Sequence, residues 1–179
     1  MIDKAKNEFK LLNEKLELSL REKIIREALQ WVGTTEQENN DNPFGHYYNF
    51  NNVAWCGLFC SYVYWMNGIV LPNTNKGRKG MAYVPAALTF FVKNNCLTNE
   101  PKEGDLIIFE FTGDKLPDHV GIFHKEINTG VYYCIEGNTS FDEIGSQSNG
   151  GAVAYKKRYK RNVVAFIDME KIKKLKLEP

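Results

Sequence analysis

Apolar residues along this chain change their period once, and the change divides it into two halves. After Ser19, the positions Ile24, Ile25, Ala28, Leu29 and Val32 recur at helical spacing. Ser19-Leu20-Arg21-Glu22 opens this run as a capping box and Gly33 closes it, which predicts a helix. Residues 34–52 are rich in Asn, Asp, Tyr, Gly and Pro and predict a long surface loop. Residues 53–68 are apolar on nearly every side, as in a helix buried at the centre of a domain, with Cys56 in its first turn and Gly68 as its stop. Pro85 begins another helix, running to about Lys93.

Beyond that point the pattern becomes extended. Segments 106–111, 119–126, 131–138, 151–159 and 163–168 are rich in Val, Ile, Phe and Tyr and are separated by Gly, Asn and Pro. Helices first and strands afterwards predict an α+β fold, with N-terminal helices packed on a mainly antiparallel sheet of five to six strands. Residues 1–18 form an N-terminal arm or helix of weaker pattern, 19–168 a single domain, and 169–179 a basic tail or linker carrying Lys171, Lys173, Lys174 and Lys176.

Composition narrows the partners. The 23 Lys and Arg nearly match the 22 Asp and Glu, so no global field draws the protein to nucleic acid. The first twenty residues alternate charge with leucine and lack the apolar core of a signal peptide, and no stretch is long enough to span a membrane. Cys56, Cys60, Cys96 and Cys134 are too scattered for a disulfide framework, and the C-x3-C pair has no second close ligand pair for zinc.

A cysteine at a helix start with an imidazolium nearby is placed to act as a thiolate nucleophile. Taken alone, Cys56 reads equally as a small core residue, as Cys60, Cys96 and Cys134 do. Of the three histidines, His46 falls in the loop, and His119 and His124 point to opposite faces of one strand. His119 opens the strand beside Gly121, whereas His124 reads as exposed. If 119–126 and 131–138 pair as a hairpin, His119 falls opposite residues 136–138, and Glu136 and Asn138, which share a face by the same alternation, offer the imidazole an acceptor.

Three ordered stretches carry a family resemblance: Trp55-Cys56-Gly57-Leu58-Phe59-Cys60-Ser61, then Pro101-Lys102-Glu103-Gly104-Asp105, then Asp118-His119-Val120-Gly121-Ile122-Phe123 with Glu136-Gly137-Asn138. The series resembles the CHAP domain, a papain-like α+β family of cysteine, histidine-dependent amidohydrolases and peptidases found in phage endolysins and bacterial autolysins. The resemblance implies Cys56 as nucleophile, His119 as general base and acid, Glu136 as the residue orienting the histidine, and Asn138 as a further polar member. The related NlpC-type peptidases place a histidine where this chain has Glu136, which argues for the CHAP branch. Tyr47-Tyr48-Asn49-Phe50-Asn51-Asn52 stands where some CHAP members have calcium-binding aspartates, so no metal and no cofactor are expected.

The resemblance implies a peptidoglycan hydrolase that cleaves an amide through a thioester, either as a muramoyl-alanine amidase or as an endopeptidase of stem or cross-bridge. The backbone amide of Cys56 and a donor among Tyr47, Tyr48, Asn51 and Asn52 would hold the oxyanion, and Trp55, Phe44, Tyr47 and Tyr48 would border a substrate groove. The expected partner is bacterial peptidoglycan, met by a monomer made in the cytoplasm without a signal peptide and acting on the wall after release. A non-catalytic wall-binding module and a cytoplasmic thiol amidase for a small amide are the competing classes.

Overall fold

A computed structural model describes residues 18–178 apart from Lys76 and Glu143, so the N-terminal arm expected over 1–18 lies almost wholly outside the described residues. Five α-helices and six strands follow in order: α1 (Leu20–Leu29), α2 (Pro43–Tyr47), α3 (Cys56–Met66), α4 (Val84–Lys93), β1 (Leu97–Thr98), β2 (Leu106–Phe109), β3 (His119–Asn128), β4 (Val131–Thr139), β5 (Ala152–Tyr159), β6 (Val163–Ile167) and α5 (Met169–Lys174). The strands form one sheet in the order β1-β6-β2-β3-β4-β5, and every neighbouring pair is antiparallel. This is the α+β architecture the hydrophobic pattern predicts, consistent with a papain-like fold.

Helix α3 lies across β3 and β4. Its residues 56–64 are all buried, which explains why the sequence there shows no polar face. Alternation along the strands builds two apolar layers. Leu106, Ile108, Val120, Ile122 and Ile135 face the helices, whereas Ile107, Phe109, Phe123, Tyr132 and Cys134 form a second cluster. Gly57 is obligatory at the helix start, because a Cβ there would lie 1.8 Å from the carbonyl oxygen of Met81. The 79–82 segment therefore rests directly on α3.

The Gly104-Asp105 pair serves as a structural pin. Asp105 is buried and its carboxylate accepts hydrogen bonds from Arg21 Nη1 at 2.7 Å, Met169 N at 2.9 Å and Lys102 N at 2.8 Å. One side chain thus ties α1, the entry to β2 and the start of α5. Each bond to an ionised partner is worth about 1.5–3 kcal/mol.

Several boundaries differ from the sequence reading. The 34–52 segment is not loop throughout: Asn42 accepts from Gly45 N and Pro43 occupies the first turn, so α2 forms within it. A bridge between Thr35 and Ala152 ties the same segment to β5. Helix α1 ends at Leu29, short of Val32. β1 was not anticipated, since two residues carry no detectable period. Residues 169–174, read as the start of a basic tail, form α5, because Met169 and Ile172 are one turn apart and both buried. Among the described residues no helix is long and apolar enough to cross a membrane.

Candidate active site

Cys56 is the first residue of α3, and Trp55 before it caps the helix without a side-chain hydrogen bond. No side chain thus competes at that cap for the amides of the first turn, which carry the positive end of the helix dipole. Cys56 is only 4% exposed, a narrow window onto the surface. Burial pushes the Cys60 and Cys134 thiols well above the usual cysteine range and keeps them protonated.

His119 is the first residue of β3 and is completely buried. The rings of Phe109 and Phe111 flank it at 6.1 and 5.8 Å between centroids. Asp118 holds Phe111 in place, its Oδ2 accepting from the backbone amides of Phe111 and Thr112 at 2.9 and 3.0 Å. His119 Nε2 lies 3.0 Å from Glu136 Oε2. Nδ1 has no oxygen or nitrogen partner among the described residues, and the Cys56 thiol is the other group that acts on the ring.

Gly121 makes this geometry possible. Glu136 crosses over it, and a Cβ at 121 would sit 2.6 Å from Glu136 Cγ. Ile122 pairs with Ile135, so Gly121 and Glu136 are next in register and share the face of His119.

Behind Glu136 stands a residue the sequence reading missed. Arg158, in β5, grips the carboxylate with both arms of its guanidinium, Nε to Oε1 at 2.8 Å and Nη2 to Oε2 at 2.5 Å. Its remaining donors reach Gln147 Oε1 at 2.7 Å and Thr139 Oγ1 at 3.1 Å, and Phe111 lies under it at 4.7 Å. The signal was present in Lys156 and Arg158, two cations at strand spacing, but a charged residue in a strand reads by default as solvent-facing. Both are buried, at 4% and 6%.

The charges along this line alternate when the thiol is ionised: Cys56, His119, Glu136, Arg158. Burial raises the Glu136 pKa, but hydrogen bonds from Arg158 and His119 and their charges overcome it and hold the group at about 2. For His119 burial lowers the pKa, yet the Cys56 charge and hydrogen bond, followed by those of Glu136, raise it to about 9. Because 9 lies above the ordinary 6.5, the stability contributed by the imidazolium is complete below pH 6.5 and disappears as pH rises through 9. Glu136 has the opposite sign: its contribution is present above 4.5 and lost as pH falls through 2. The basic limb of kcat/KM is therefore expected near pH 9, where His119 loses its proton. Glu136→Gln should move that limb to lower pH, because it removes a charge that holds the imidazole protonated. An unmoved limb in the variant would show that the carboxylate does not act on the ring.

The remaining sequence candidates are placed differently. Asn138 is buried, but its φ of 56° lies in the left-handed region and breaks the strand alternation; its Nδ2 donates to Asn149 Oδ1 at 3.0 Å. It closes the 139–151 loop, and no hydrogen bond joins it to His119. Trp55 is wholly buried, stacked on Phe44 at 5.4 Å, with Nε1 donating to Glu36 Oε2 at 2.5 Å. Asn51 is consumed within its loop, donating to Asp41 and accepting from Asn42. Tyr47 is 46% exposed and Tyr48 half-buried. His46 is exposed and pairs with Asp41 at 2.6 Å. His124 is half-buried rather than exposed, because Tyr155 Oη lies 2.7 Å from its Nδ1. A cavity of about 350 Å³ lined by Phe50, Val53, Ala54, Ala82 and Tyr83 opens at the N-terminal end of α3.

Comparison with known proteins bears on this arrangement. The sequence profile of the NlpC/P60 family matches residues 30–162, which include Cys56, His119, Glu136 and Arg158. A search of curated proteins found no match. The matched family is related to the CHAP family but distinct from it, so the expectation that Glu136 marks the CHAP branch is replaced by this match.

Proposed function

The chain belongs to the NlpC/P60 family, and from that premise we propose that it hydrolyses an amide bond in the peptide part of bacterial peptidoglycan, with Cys56 as nucleophile. The observation that carries this reading is the His119 ring, which turns one nitrogen to a buried carboxylate and leaves the other for a sulfur at a helix start.

The Cys56 thiolate attacks the amide carbonyl carbon, and the carbonyl oxygen takes up the negative charge. The backbone amide of Cys56 is the nearest fixed donor for that oxyanion. His119 then gives its Nδ1 proton to the leaving nitrogen, the C–N bond breaks and a thioester remains. Water loses a proton to His119, adds to the thioester and releases the thiolate and a carboxylic acid, which gives its own proton to solvent. Glu136 supports the charged imidazole in both steps, and Arg158 keeps Glu136 ionised. A wall polymer places the site of action outside the cytoplasm, after release, and the proposed acting species is a single copy of the chain.

Mass spectrometry of fragments from purified peptidoglycan tests the reading and names the bond. Free muramic lactyl carboxylates with new L-alanine amino termini identify an amidase, whereas new termini inside the stem or cross-bridge identify an endopeptidase. Intact wall together with turnover of small soluble amides would overturn the wall assignment.

A further inference from the structure

A second cavity, of about 320 Å³, has neither Cys56 nor His119 among the described residues of its lining. Its lining includes Tyr47, Tyr48, Asn49, Trp65, Asn73 and Lys79. Its volume falls within the range of about 300–1,000 Å³ typical of small-molecule sites.

The cavity is preformed. Its edge at Gly80 adopts φ +92° and is packed so closely that a Cβ would approach Leu58 Cδ2 to 2.8 Å and the Tyr48 ring to 3.3 Å. Asn73 Oδ1 accepts from Gly80 N at 2.8 Å, and Ser61 Oγ accepts from Met81 N at 2.9 Å while donating to Gly57 O at 2.8 Å. The Ser61 bonds tie Met81 to α3, and the Asn73 bond joins that residue to Gly80 beside it. Tyr47 stands edge-on to Tyr48 and Tyr62 at 5.1 and 5.0 Å, so its ring is fixed although 46% exposed. Trp65 is 37% exposed in a helix whose residues up to Tyr64 are all buried. Rigid aromatic rings left open to solvent contribute nothing to the core at their open faces, and they are effective binding surfaces.

We propose that this cavity binds an N-acetylated pyranose ring. The C–H face of such a ring stacks on tyrosine and tryptophan, its hydroxyls meet the amides of Asn49 and Asn73 and the ammonium of Lys79, and its acetamido methyl reaches the apolar floor of Val70 and Leu71. Among the described residues the lining contains amides and one cation and no carboxylate, which suits a neutral, hydroxyl-rich ligand better than a cationic peptide. Ser61 lies five residues along α3 from Cys56, about 8 Å of helix rise. A saccharide held there leaves its attached peptide within reach of the sulfur. The inference rests on the wall-polymer reading above and deepens it, making the glycan part of what is recognised.

The test uses the full chain carrying Cys56→Ala, so that turnover plays no part. A tetramer of β-1,4-linked N-acetylglucosamine is titrated while the Trp65 indole resonance is followed by NMR. The expected result is a saturable shift; in Trp65→Ala, followed instead through the backbone amides of Asn49 and Gly80, the affinity should be at least about tenfold weaker, the ordinary loss on truncating an aromatic anchor. Lys79→Ala, an exposed change that leaves packing intact, should weaken it as well. No saturation at millimolar saccharide, equal binding of a glucose tetramer, or a Trp65 response to stem peptide alone would overturn the proposal. Fragment analysis of digested walls is unaffected by any of these outcomes, so the two readings fail separately.

Discussion

Cys56→Ala and His119→Ala are each expected to abolish clearing of purified walls, with kcat/KM falling about 10⁴-fold or more. The two losses should not add. A nucleophile without its base and a base without its nucleophile are equally idle, so the double variant should be no worse than either single one. Thermal melting must show that Cys56→Ala folds, which is expected because the residue is small and alanine fits its space. The substitution should also lower the His119 pKa from about 9, since the Cys56 charge and hydrogen bond are the largest influences raising it; NMR titration of the imidazole reads this directly. Cys60→Ala, one turn further and sealed in the core, should retain turnover. Clearing that survives in either Cys56→Ala or His119→Ala would end the assignment.

Arg158→Met should produce the largest loss of stability in the sheet. Removing one partner of a buried ion pair strands the other charge, at about 3–5 kcal/mol. Here the stranded group is Glu136, fully buried, with His119 as its remaining partner. For a chain of this size each kcal/mol moves Tm by about 2–4 °C, so a drop on the order of 6–20 °C is expected in calorimetry. The loss should be partly relieved by adding Glu136→Gln, because the amide has no charge to strand. The single variant should also unfold at a higher pH on acidification, as the Glu136 pKa rises from about 2 toward its ordinary 4.5 once the guanidinium is gone. Equal Tm values for Arg158→Met and the unmodified chain would mean that solvent reaches the pair and that the arginine does not hold the carboxylate.

Much of the site was legible before any coordinates. Cys56 at a helix start, His119 at a strand start beside Gly121, and Glu136 across the hairpin each follow from local period and register, and the structure brings these three into one line. Asn138 was placed by the same alternation, which a residue at φ +56° interrupts. Trp55 was read as a groove wall because an aromatic next to a nucleophile invites that reading. Burial against Phe44 and the bond to Glu36, nineteen residues earlier, depend on how the 34–52 segment folds back.

The sequence by itself determined the order of helices and strands, the buried character of α3 and the candidate sulfur and imidazole, because period, caps and turns act over a few residues. Only the tertiary structure decided that Arg158 stands behind Glu136, that Asp105 pins three elements together, and that rings from two segments line the second cavity. These depend on which strands become neighbours and which charges lose their water. A buried arginine and a solvated one look the same along the chain, and burial is a property of the assembled sheet.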